Sequence, residues 1–504
     1  MKLRVMKMDE PKFHLIGHFK LSGDAAKLKE DVAKLIFKAN EDILRKGAPS
    51  GKGAKVINWD LDKNVITVEI KSDRYVRAHD ALIRLRKVLA ALLGKHHIGI
   101  RGIGIEEFTI QMPSEEPLKK NIPFVKDMRY EDGKILLSLD VDEQQIENKI
   151  PDRIISLISE KVESRKYGKK EHWELLGESK KKIHKFKEDP TKELTKRRWI
   201  KHGSGRGQWV FGPQITRVFR AFGEIIEEEI LRPLGYNEMM FPKMVPWDVW
   251  KRSGHAKGIY PEMYYVCPPK TRDPEYWEEV MDYYKVTQEV PLDLIKEKID
   301  YPIGGMCYAQ CPPFWVFLQG ETLPDDIFPI FLYDRSGTSH RYESGGIHGI
   351  ERVDEFNRTE LIWIGTQDQV IEHSKKLQER YQHLFDDILD IQWRNAWVTP
   401  WFMAQEGLTG LAETREVGTI DYEAYMPYRN DWLEFQNLSV NGSKYPDGFN
   451  VKLQSGEKLW SGCSGIGMER WGAAFFAQKG LDVENWPNKF RKKVGELPEV
   501  FKFL

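Results

Sequence analysis

The sequence predicts an α+β fold divided over at least two domains, and three observations support this. The chain has 504 residues, and a single hydrophobic core seldom grows beyond about 250–300 residues. Short stretches with the alternating polarity of strands are mixed with segments of helical periodicity. Hydrophobic residues make up 41% and charged residues 31% of the chain, which is a globular rather than a disordered composition.

Residues 1–165 predict a separate α+β domain, a sheet with helices on one face. Strands and helices are expected in alternation: strands at 13–20, 56–60 and 65–71, helices at 25–45, 74–93 and 142–165, with further strands between 97 and 139. The helix at 74–93 carries an apolar stripe of leucines. We expect four cations on a different side of this helix, either solvated or bound to an anionic partner: Arg74, Arg77, Arg84 and Lys87.

Residues 166–210 read as a basic linker. Between Lys161 and Lys201 there are fifteen Lys and Arg against seven Asp and Glu, although the chain as a whole has no net charge. Such a run is either a solvated helical linker or a track for a phosphate backbone. It ends in the glycine-rich stretch 202–207, which predicts a flexible domain boundary.

Composition excludes several classes of protein. No apolar run reaches the roughly 20 residues of a membrane helix, and the N-terminal residues lack the pattern of a secretory signal. Four cysteines in 504 residues do not make a disulfide framework. We therefore expect a cytoplasmic protein that does not contact a membrane.

Three segments carry the chemistry. The first is an amphipathic helix at 218–230 with an extended run that ends at Pro242. The second is two strand-like stretches, 339–343 and 351–356, around a short loop; if they pair, arginines, a carboxylate and an aromatic ring converge on one surface. The third is the glycine-rich step at 465–471 that leads into an apolar helix.

Together these segments resemble the three signature motifs of the class II aminoacyl-tRNA synthetases. The second motif matches at Arg341, Glu343, Arg352 and Phe356, and the third, Gly-x-Gly-x-Glu-Arg, at 465–470. The resemblance implies a catalytic domain at 211–504 with an antiparallel sheet and flanking helices, a helical insertion at about 268–300, and a homodimer formed through the first motif.

Within this class the chain resembles the methanogenic-type seryl-tRNA synthetases, which have an unrelated N-terminal α+β domain and an active-site zinc. The seryl features are Ser253-Gly254-His255, the stretch 419–427, and the strand that contains Glu434 and Asn437. The resemblance implies one Zn²⁺ per chain held by Cys311, Glu360 and Cys463. Two thiolates and a carboxylate leave one corner of a tetrahedron open. Cys307, four residues before Cys311, is the alternative ligand.

The resemblance also implies a role for each motif residue. Arg341 holds the α-phosphate of ATP, Glu343 lies near the adenine and Arg352 reaches the γ-phosphate. Phe356 and Arg470 enclose the purine. The residues implied for ATP and Mg²⁺ together are Arg341, Glu343, Arg352, Phe356, Glu434, Ser439 and Arg470. Those implied for serine are Glu360, Trp401, Gln405 and Asn437.

These implications predict a serine–tRNA ligase (EC 6.1.1.11), which uses ATP and L-serine to charge tRNA(Ser), and tRNA(Sec) where present. The N-terminal cations would then bind the tRNA through its backbone. Two alternatives remain open on the sequence alone: a threonyl-tRNA synthetase, or a synthetase-like protein that activates or binds an amino acid without charging tRNA.

Overall fold

The computed structural model describes residues 10–502, except 115, 119–120, 167–171, 344–345 and 400–415. The chain divides into two compact units, residues 1–168 and 169–504.

The N-terminal unit is a six-stranded antiparallel sheet with helices, as the sequence predicts. The strand order is β2-β3-β1-β4-β6-β5. The strands are β1 (Lys12–Leu21), β2 (Ala54–Asp62), β3 (Val65–Asp73), β4 (Ile100–Pro113), β5 (Val125–Glu131) and β6 (Lys134–Leu139). The helices are α1 (Lys29–Glu41), α2 (Ala78–Gly94), α3 (Glu143–Glu147) and α4 (Ile150–Lys166).

Two helix predictions in this unit differ from the structure, one at its start and the other in its middle. Helix α2 begins at Ala78 rather than at residue 74, because Arg77 has an extended backbone and Asp73 accepts a hydrogen bond from the Tyr75 amide in a turn. The helix predicted at 142–165 is two helices, since Lys149 has φ +61° and a left-handed residue ends a helix.

The C-terminal unit, residues 169–504, contains strands β7–β22; we call it the catalytic unit because the expected catalytic domain lies within it. They are β7 (Trp173–Glu178), β8 (Ile200–His202), β9 (Trp209–Phe211), β10 (Asn237–Glu238), β11 (Met244–Pro246), β12 (Tyr265–Val266), β13 (Gly304–Met306), β14 (Thr322–Leu323), β15 (Ile330–Asp334), β16 (Thr338–His340), β17 (Glu355–Gly365), β18 (Trp393–Val398), β19 (Gly418–Met426), β20 (Asp431–Gly442), β21 (Lys452–Leu453) and β22 (Trp460–Gly467).

This unit also contains nine α-helices among its described residues. They are α5 (Pro190–Lys196), α6 (Pro213–Ile226), α7 (Trp247–Arg252), α8 (Pro274–Thr287), α9 (Leu292–Lys298), α10 (Gln367–His383), α11 (Lys444–Gly448), α12 (Met468–Lys479) and α13 (Asn488–Val494). Helices α8 and α9 lie within 268–300, and an isolated bridge between Pro269 and Ile299 joins the two ends of that segment.

The main sheet has the order β10-β15-β17-β22-β20-β19-β18-β7, with β16 paired to β17. All its pairs are antiparallel except β10 with β15. Helices α6, α10 and α12 pack their apolar faces on this sheet to form the main core. The three long central strands β17, β22 and β20 therefore form a rigid floor for any site built on the opposite face.

The basic segment is not the free linker that its charge predicts. Strand β7 forms the edge of the main sheet by pairing with β18, and α5 contributes Leu194 to the core. The apolar residues that make these contacts are few and lie among many lysines. The composition of the segment therefore indicates a charged linker, although the segment packs against the unit. Across the described residues, no helix is long and apolar enough to cross a membrane.

Candidate active site

A deep pocket opens over strands β17, β20 and β22 of the catalytic unit. It brings together ten of the predicted site residues: Cys311, Arg341, Glu343, Phe356, Glu360, Glu434, Asn437, Ser439, Cys463 and Arg470. They come from positions spread over about 160 residues of chain, so the fold, not the local sequence, assembles them.

At one end of the pocket, which we call the metal end, lie Cys311, Glu360 and Cys463. Their ligand atoms are all within 4.8 Å of one another. Cys311 precedes a short 3₁₀ turn at Pro312–Leu318, whereas Glu360 and Cys463 lie on the paired strands β17 and β22. All three are buried, and both cysteines are free.

These three residues fit a zinc ion by their chemistry. Thiolates and a carboxylate are zinc donors, and three acidic groups packed in a dry site are costly to ionise without a cation among them. Burial, with Cys463 and Glu360 close by, raises the pKa of Cys311 well above its usual value. Oε2 of Glu360 forms an ion pair with the buried Arg358, whose Nε lies 2.7 Å away, so one guanidinium already balances one of the three acidic groups.

Cys307 does not join this group. Its thiol is buried and donates to the carbonyl oxygen of Ala309 at 3.4 Å. Burial raises its pKa to about 12. The donor set that the structure assembles contains Cys311 instead.

Both cysteine sulfurs of the metal end contact a polar side chain. Nδ2 of Asn441 donates to Sγ of Cys463 at 3.4 Å, and the Tyr445 hydroxyl lies 3.5 Å from Sγ of Cys311. The His255 ring, the last residue of the seryl-type Ser-Gly-His, stacks on Tyr445 with an interplanar angle of 13°. Nothing in the local sequence marks Asn441 or Tyr445; only their places in the structure, at the end of β20 and in the following helix α11, reveal them.

The opposite end of the pocket, which we call the nucleotide end, contains Arg341. Its Nη2 lies 3.0 Å from Oε1 of Glu262, and its guanidinium lies over the Tyr308 ring at 5.3 Å. The Tyr308 hydroxyl donates to the other oxygen of Glu262 at 2.7 Å. Sequence reasoning missed Glu262, because it lies 79 residues before Arg341 and outside every motif.

Two further arginines flank the carboxylate of Glu343. Arg470 Nη2 lies 3.8 Å from it and Arg352 Nη1 lies 3.9 Å from it. Arg470 also donates to the Glu434 carboxylate at 2.8 Å. Arg352 does not line the main pocket; it lies in an adjoining pocket that shares Glu434 and Arg470.

The second motif does not place its residues on strand faces as the sequence predicts. Ser339 pairs with Phe356, so the hairpin forms, but β16 ends at His340 and Arg341 and Glu343 lie in the loop beyond it. The buried carboxylate of Asp354 holds this loop by accepting from the Glu343 amide at 2.9 Å. The predicted residues do converge, but beyond His340 the two stretches are joined by one backbone hydrogen bond, from the Arg341 amide to the Asp354 carbonyl at 2.9 Å, and by the Asp354 side chain.

The glycine-rich stretch at 203–207 is not a flexible boundary. Arg206 forms an ion pair with Asp354 and lies over the Tyr342 ring at 3.9 Å. Gly207 has φ +59°, and its carbonyl accepts from the Asp354 amide at 2.9 Å. This stretch therefore packs directly behind the second motif, and its glycine permits the close backbone contact.

The third motif is explained by its neighbours on β17. A side chain at Gly465 would collide with the guanidinium of Arg358, so a larger residue would displace that guanidinium from its place beside Glu360. Glu469 is buried and accepts hydrogen bonds from the amide and the side chain of Asn357. Burial raises the pKa of Glu469 to about 7. The hydrogen bonds of Glu469 to Asn357 thus link the start of α12 to β17. The next residue, Arg470, lines the pocket.

The remaining residues predicted for serine and magnesium lie on β20. Asn437 Oδ1 accepts from the Gly465 amide at 3.3 Å, and the Ser439 hydroxyl lies 2.9 Å from that of Thr419. Trp401 and Gln405, also predicted to contact serine, lie outside the described residues.

The four N-terminal cations do not form one free face, contrary to the prediction. Arg74 and Arg77 precede α2. Arg77 forms an ion pair with Asp152, and Arg84 donates to the carbonyl oxygens of residues 43 and 46. Arg74 is exposed and lies 3.5 Å from Glu10, and Lys87 is exposed. Hence two of the four side chains hold the domain together.

Comparisons with known proteins agree with this geometry. A family model described as a tRNA-binding domain matches residues 11–160. A type-2 serine–tRNA ligase of Methanothrix thermoacetophila is 63% identical, covering 98% of this chain and 100% of the relative. One of Methanococcoides burtonii is 62% identical with the same coverage. The solved structure of M. kandleri SerRS in complex with A. aeolicus tRNASec matches with a TM-score of 0.81 at 32% identity, over 98% of this chain and 99% of that one. The chain therefore belongs to the type-2 serine–tRNA ligases, a family of class II aminoacyl-tRNA synthetases.

Proposed function

We propose that the two ends of the pocket divide the work of a serine–tRNA ligase, the metal end binding serine and the nucleotide end binding ATP. The observation that carries this proposal is the single pocket that contains both residue sets. Serine and ATP bound there would place the serine carboxylate next to the α-phosphorus. Attack would give seryl-adenylate and pyrophosphate, and a terminal ribose hydroxyl of tRNA would then accept the seryl group.

At the nucleotide end, positioning and charge neutralisation supply the catalysis. Arg341 binds the α-phosphate, and ATP replaces part of its contact with Glu262. Phe356 stacks on the purine, and Arg470 covers the opposite face. Arg352, in the adjoining pocket, binds the γ-phosphate.

Glu343 and the strand β20 complete this end. Glu343 holds the adenine edge between the two arginines that flank it. Glu434 and Ser439 are oxygen donors, the kind that Mg²⁺ prefers. The family uses ATP with Mg²⁺, and these two residues are the proposed protein contacts for that ion.

At the metal end, Cys311, Glu360 and Cys463 would hold Zn²⁺. When bound, zinc supplies a Lewis acid that takes the unprotonated α-amino group of serine. The three protein ligands orient the amino acid, and burial of the site excludes water. Asn437, together with Trp401 and Gln405, would contact the rest of the serine.

The tRNA is proposed to bind the N-terminal domain through backbone and shape. Arg74 and Lys87 remain exposed for this purpose, whereas Arg77 and Arg84 serve the fold. Because the M. kandleri relative is solved with tRNASec, we extend the proposed substrates to tRNA(Sec) where it is present. We also propose a homodimer through the first motif, which includes α6 and the extended run that ends at Pro242, and the cytoplasm as the place of tRNA charging.

The test is amino-acid-dependent exchange between ATP and pyrophosphate, followed by tRNA charging. Serine should support exchange, and threonine should support it at least tenfold less. The same enzyme should then charge tRNA(Ser). Preference for threonine would favour the threonyl alternative, and exchange without charging would favour an amino-acid-activating protein; the family relationship supports neither.

A further inference from the structure

Residues 179–189, which we call the basic strap, join β7 to α5 along the surface of the catalytic unit without regular secondary structure. The strap begins with hydrogen bonds to β18: the Ser179 amide donates to the carbonyl of Trp393 at 2.9 Å, and the Trp393 amide donates back to the Ser179 hydroxyl at 3.0 Å. The first residue of the strap is thus held by the main sheet.

Three more side chains anchor the strap. Nε2 of His184 lies 2.9 Å from Oε1 of Gln392, Lys182 forms an ion pair with Asp390, and Phe186 packs against the main core. Anchors at 179, 182, 184 and 186 fix the path of the chain over these eight residues. The strap is therefore a built surface feature rather than a solvated linker.

Between the anchors, every second side chain faces solvent. Residues 182, 184 and 186 are half-buried, while 183, 185 and 187 are exposed, the alternation of an extended chain. Ile183 is 96% exposed. Lys180 and Lys181 are also exposed, just before the first of these anchors.

The outward lysines differ from the inward one in their partners. Lys182 is paired with Asp390, but Lys181, Lys185 and Lys187 form no ion pair with any described residue. Glu188, exposed at the end of the strap, is its one outward acid. Because the strap is already anchored, a polyanion that binds these unpaired cations would cost the strap little conformational entropy.

We propose that the basic strap is a docking track for the phosphate backbone of the tRNA substrate, in addition to the N-terminal domain. From Lys181 to Lys187 an extended chain spans at most about 20 Å. A nucleic-acid strand carries a phosphate about every 3.4 Å of its axis, so the track runs beside several phosphates. The strap's contacts position the tRNA and read no base. This inference rests on tRNA charging as the activity.

The test is a triple variant, K181A/K185A/K187A, which leaves every anchor in place. Its matched control is K375A/K452A/K458A, three exposed lysines of the same unit that also form no ion pair with described residues. A second control, K181R/K185R/K187R, keeps the charge. Serine-dependent pyrophosphate exchange without tRNA and the Tm are measured alongside tRNA charging.

We expect the strap variant to raise the KM for tRNA roughly tenfold at physiological salt. The slope of log KM against log salt should fall by about two to three, since three phosphate contacts are lost. Pyrophosphate exchange and Tm should match the parent, and both control variants should charge tRNA normally. An unchanged KM and slope, an equal effect of the alanine control, or a loss of pyrophosphate exchange in the strap variant would overturn the proposal. Absence of exchange in the parent would instead contradict the proposed function.

Discussion

The two ends of the pocket are built differently. At the metal end, Glu360 is 1% exposed and Cys311 4%, and the ligand atoms are already grouped. At the nucleotide end, the side chains of Arg341 and Arg352 are 34% and 46% exposed, and each arginine has a carboxylate partner within the protein. The metal end is dry and has three acidic groups beside one buried guanidinium, that of Arg358, whereas the nucleotide end is more open and its arginines are paired with carboxylates.

This difference predicts how each end responds to its ligand. At the metal end we expect a bound cation to favour ionised thiols, because Arg358 can balance only one of the three negative charges. At the nucleotide end, the arginines have to exchange their carboxylate partners for the phosphates of ATP. This exchange needs little rearrangement of the protein, because the site is partly solvated. Removing a group should therefore affect metal retention at one end and the rate of phosphoryl chemistry at the other.

The largest expected effect is at the nucleotide end. Arg341→Ala removes the only group that we place on the reacting phosphate, so serine-dependent pyrophosphate exchange should fall by about 10³-fold or more. Zinc content should remain that of the parent. Arg272→Ala, which removes an exposed arginine from the segment 268–300, serves as the control. Exchange within tenfold of the parent in Arg341→Ala would mean that the second motif is misplaced.

At the metal end, Cys463→Ala should remove zinc and serine activation together. The parent should contain about one zinc per chain by metal analysis, and the variant much less, because a two-ligand site binds zinc poorly. The exchange rate should fall by more than about 100-fold. Cys267→Ala, a cysteine outside the pocket, should leave both quantities unchanged. Active parent enzyme without zinc would contradict the assignment.

A smaller effect is expected from the side chain that contacts the Cys463 sulfur. Asn441→Ala should weaken zinc binding by about 10–100-fold, as the loss of a hydrogen bond to a metal ligand does elsewhere. Competition with a chelator measures this directly, and the thiolate-to-metal absorption of the cobalt-substituted enzyme should shift. Asn485→Ala provides a surface control. If both readouts match the parent, the contact at 3.4 Å has no role in metal binding.

The sequence predicts the three grouped donor residues better than their surroundings. Cys311, Glu360 and Cys463 could be identified from the family resemblance, because Cys311 lies in a Cys-Pro pair, Glu360 lies eight residues after Arg352, and Cys463 lies just before the third motif. Asn441 and Tyr445 could not, since their contacts depend on how the end of β20 turns toward β22. Likewise Leu82 and Leu85 follow helical periodicity and are buried, but the partner of Arg77 is an aspartate 75 residues away.

Charge is the property that the sequence misrepresents most. The cations before and on α2 look free on a helical wheel, yet Arg77 and Arg84 are used inside the domain. The basic segment looks like a linker, yet β7 is an edge strand of the main sheet. In both cases, contacts between residues far apart in the sequence determine whether a charged side chain or segment is free. Neither composition nor periodicity can predict such contacts.

The last prediction concerns Glu262, which no motif marks. Its carboxylate accepts from Arg341 on one oxygen and from Tyr308 on the other, so it sets the direction of the guanidinium. Glu262→Gln keeps the size of the side chain but removes its charge and one hydrogen-bond acceptor. The guanidinium of Arg341 would then be less well positioned, and such an error lowers the rate of the chemical step.

We expect kcat for pyrophosphate exchange to fall about tenfold in Glu262→Gln, close to the loss of one charge-assisted hydrogen bond, with the KM for serine unchanged. Tyr308→Phe, which removes only the hydroxyl, should have a smaller effect. The double variant should be no slower than Glu262→Gln, because Tyr308 acts through Glu262 and coupled residues are not additive. Additive losses would show that the two residues act separately, and a kcat within twofold of the parent would show that Arg341 needs no partner to be oriented.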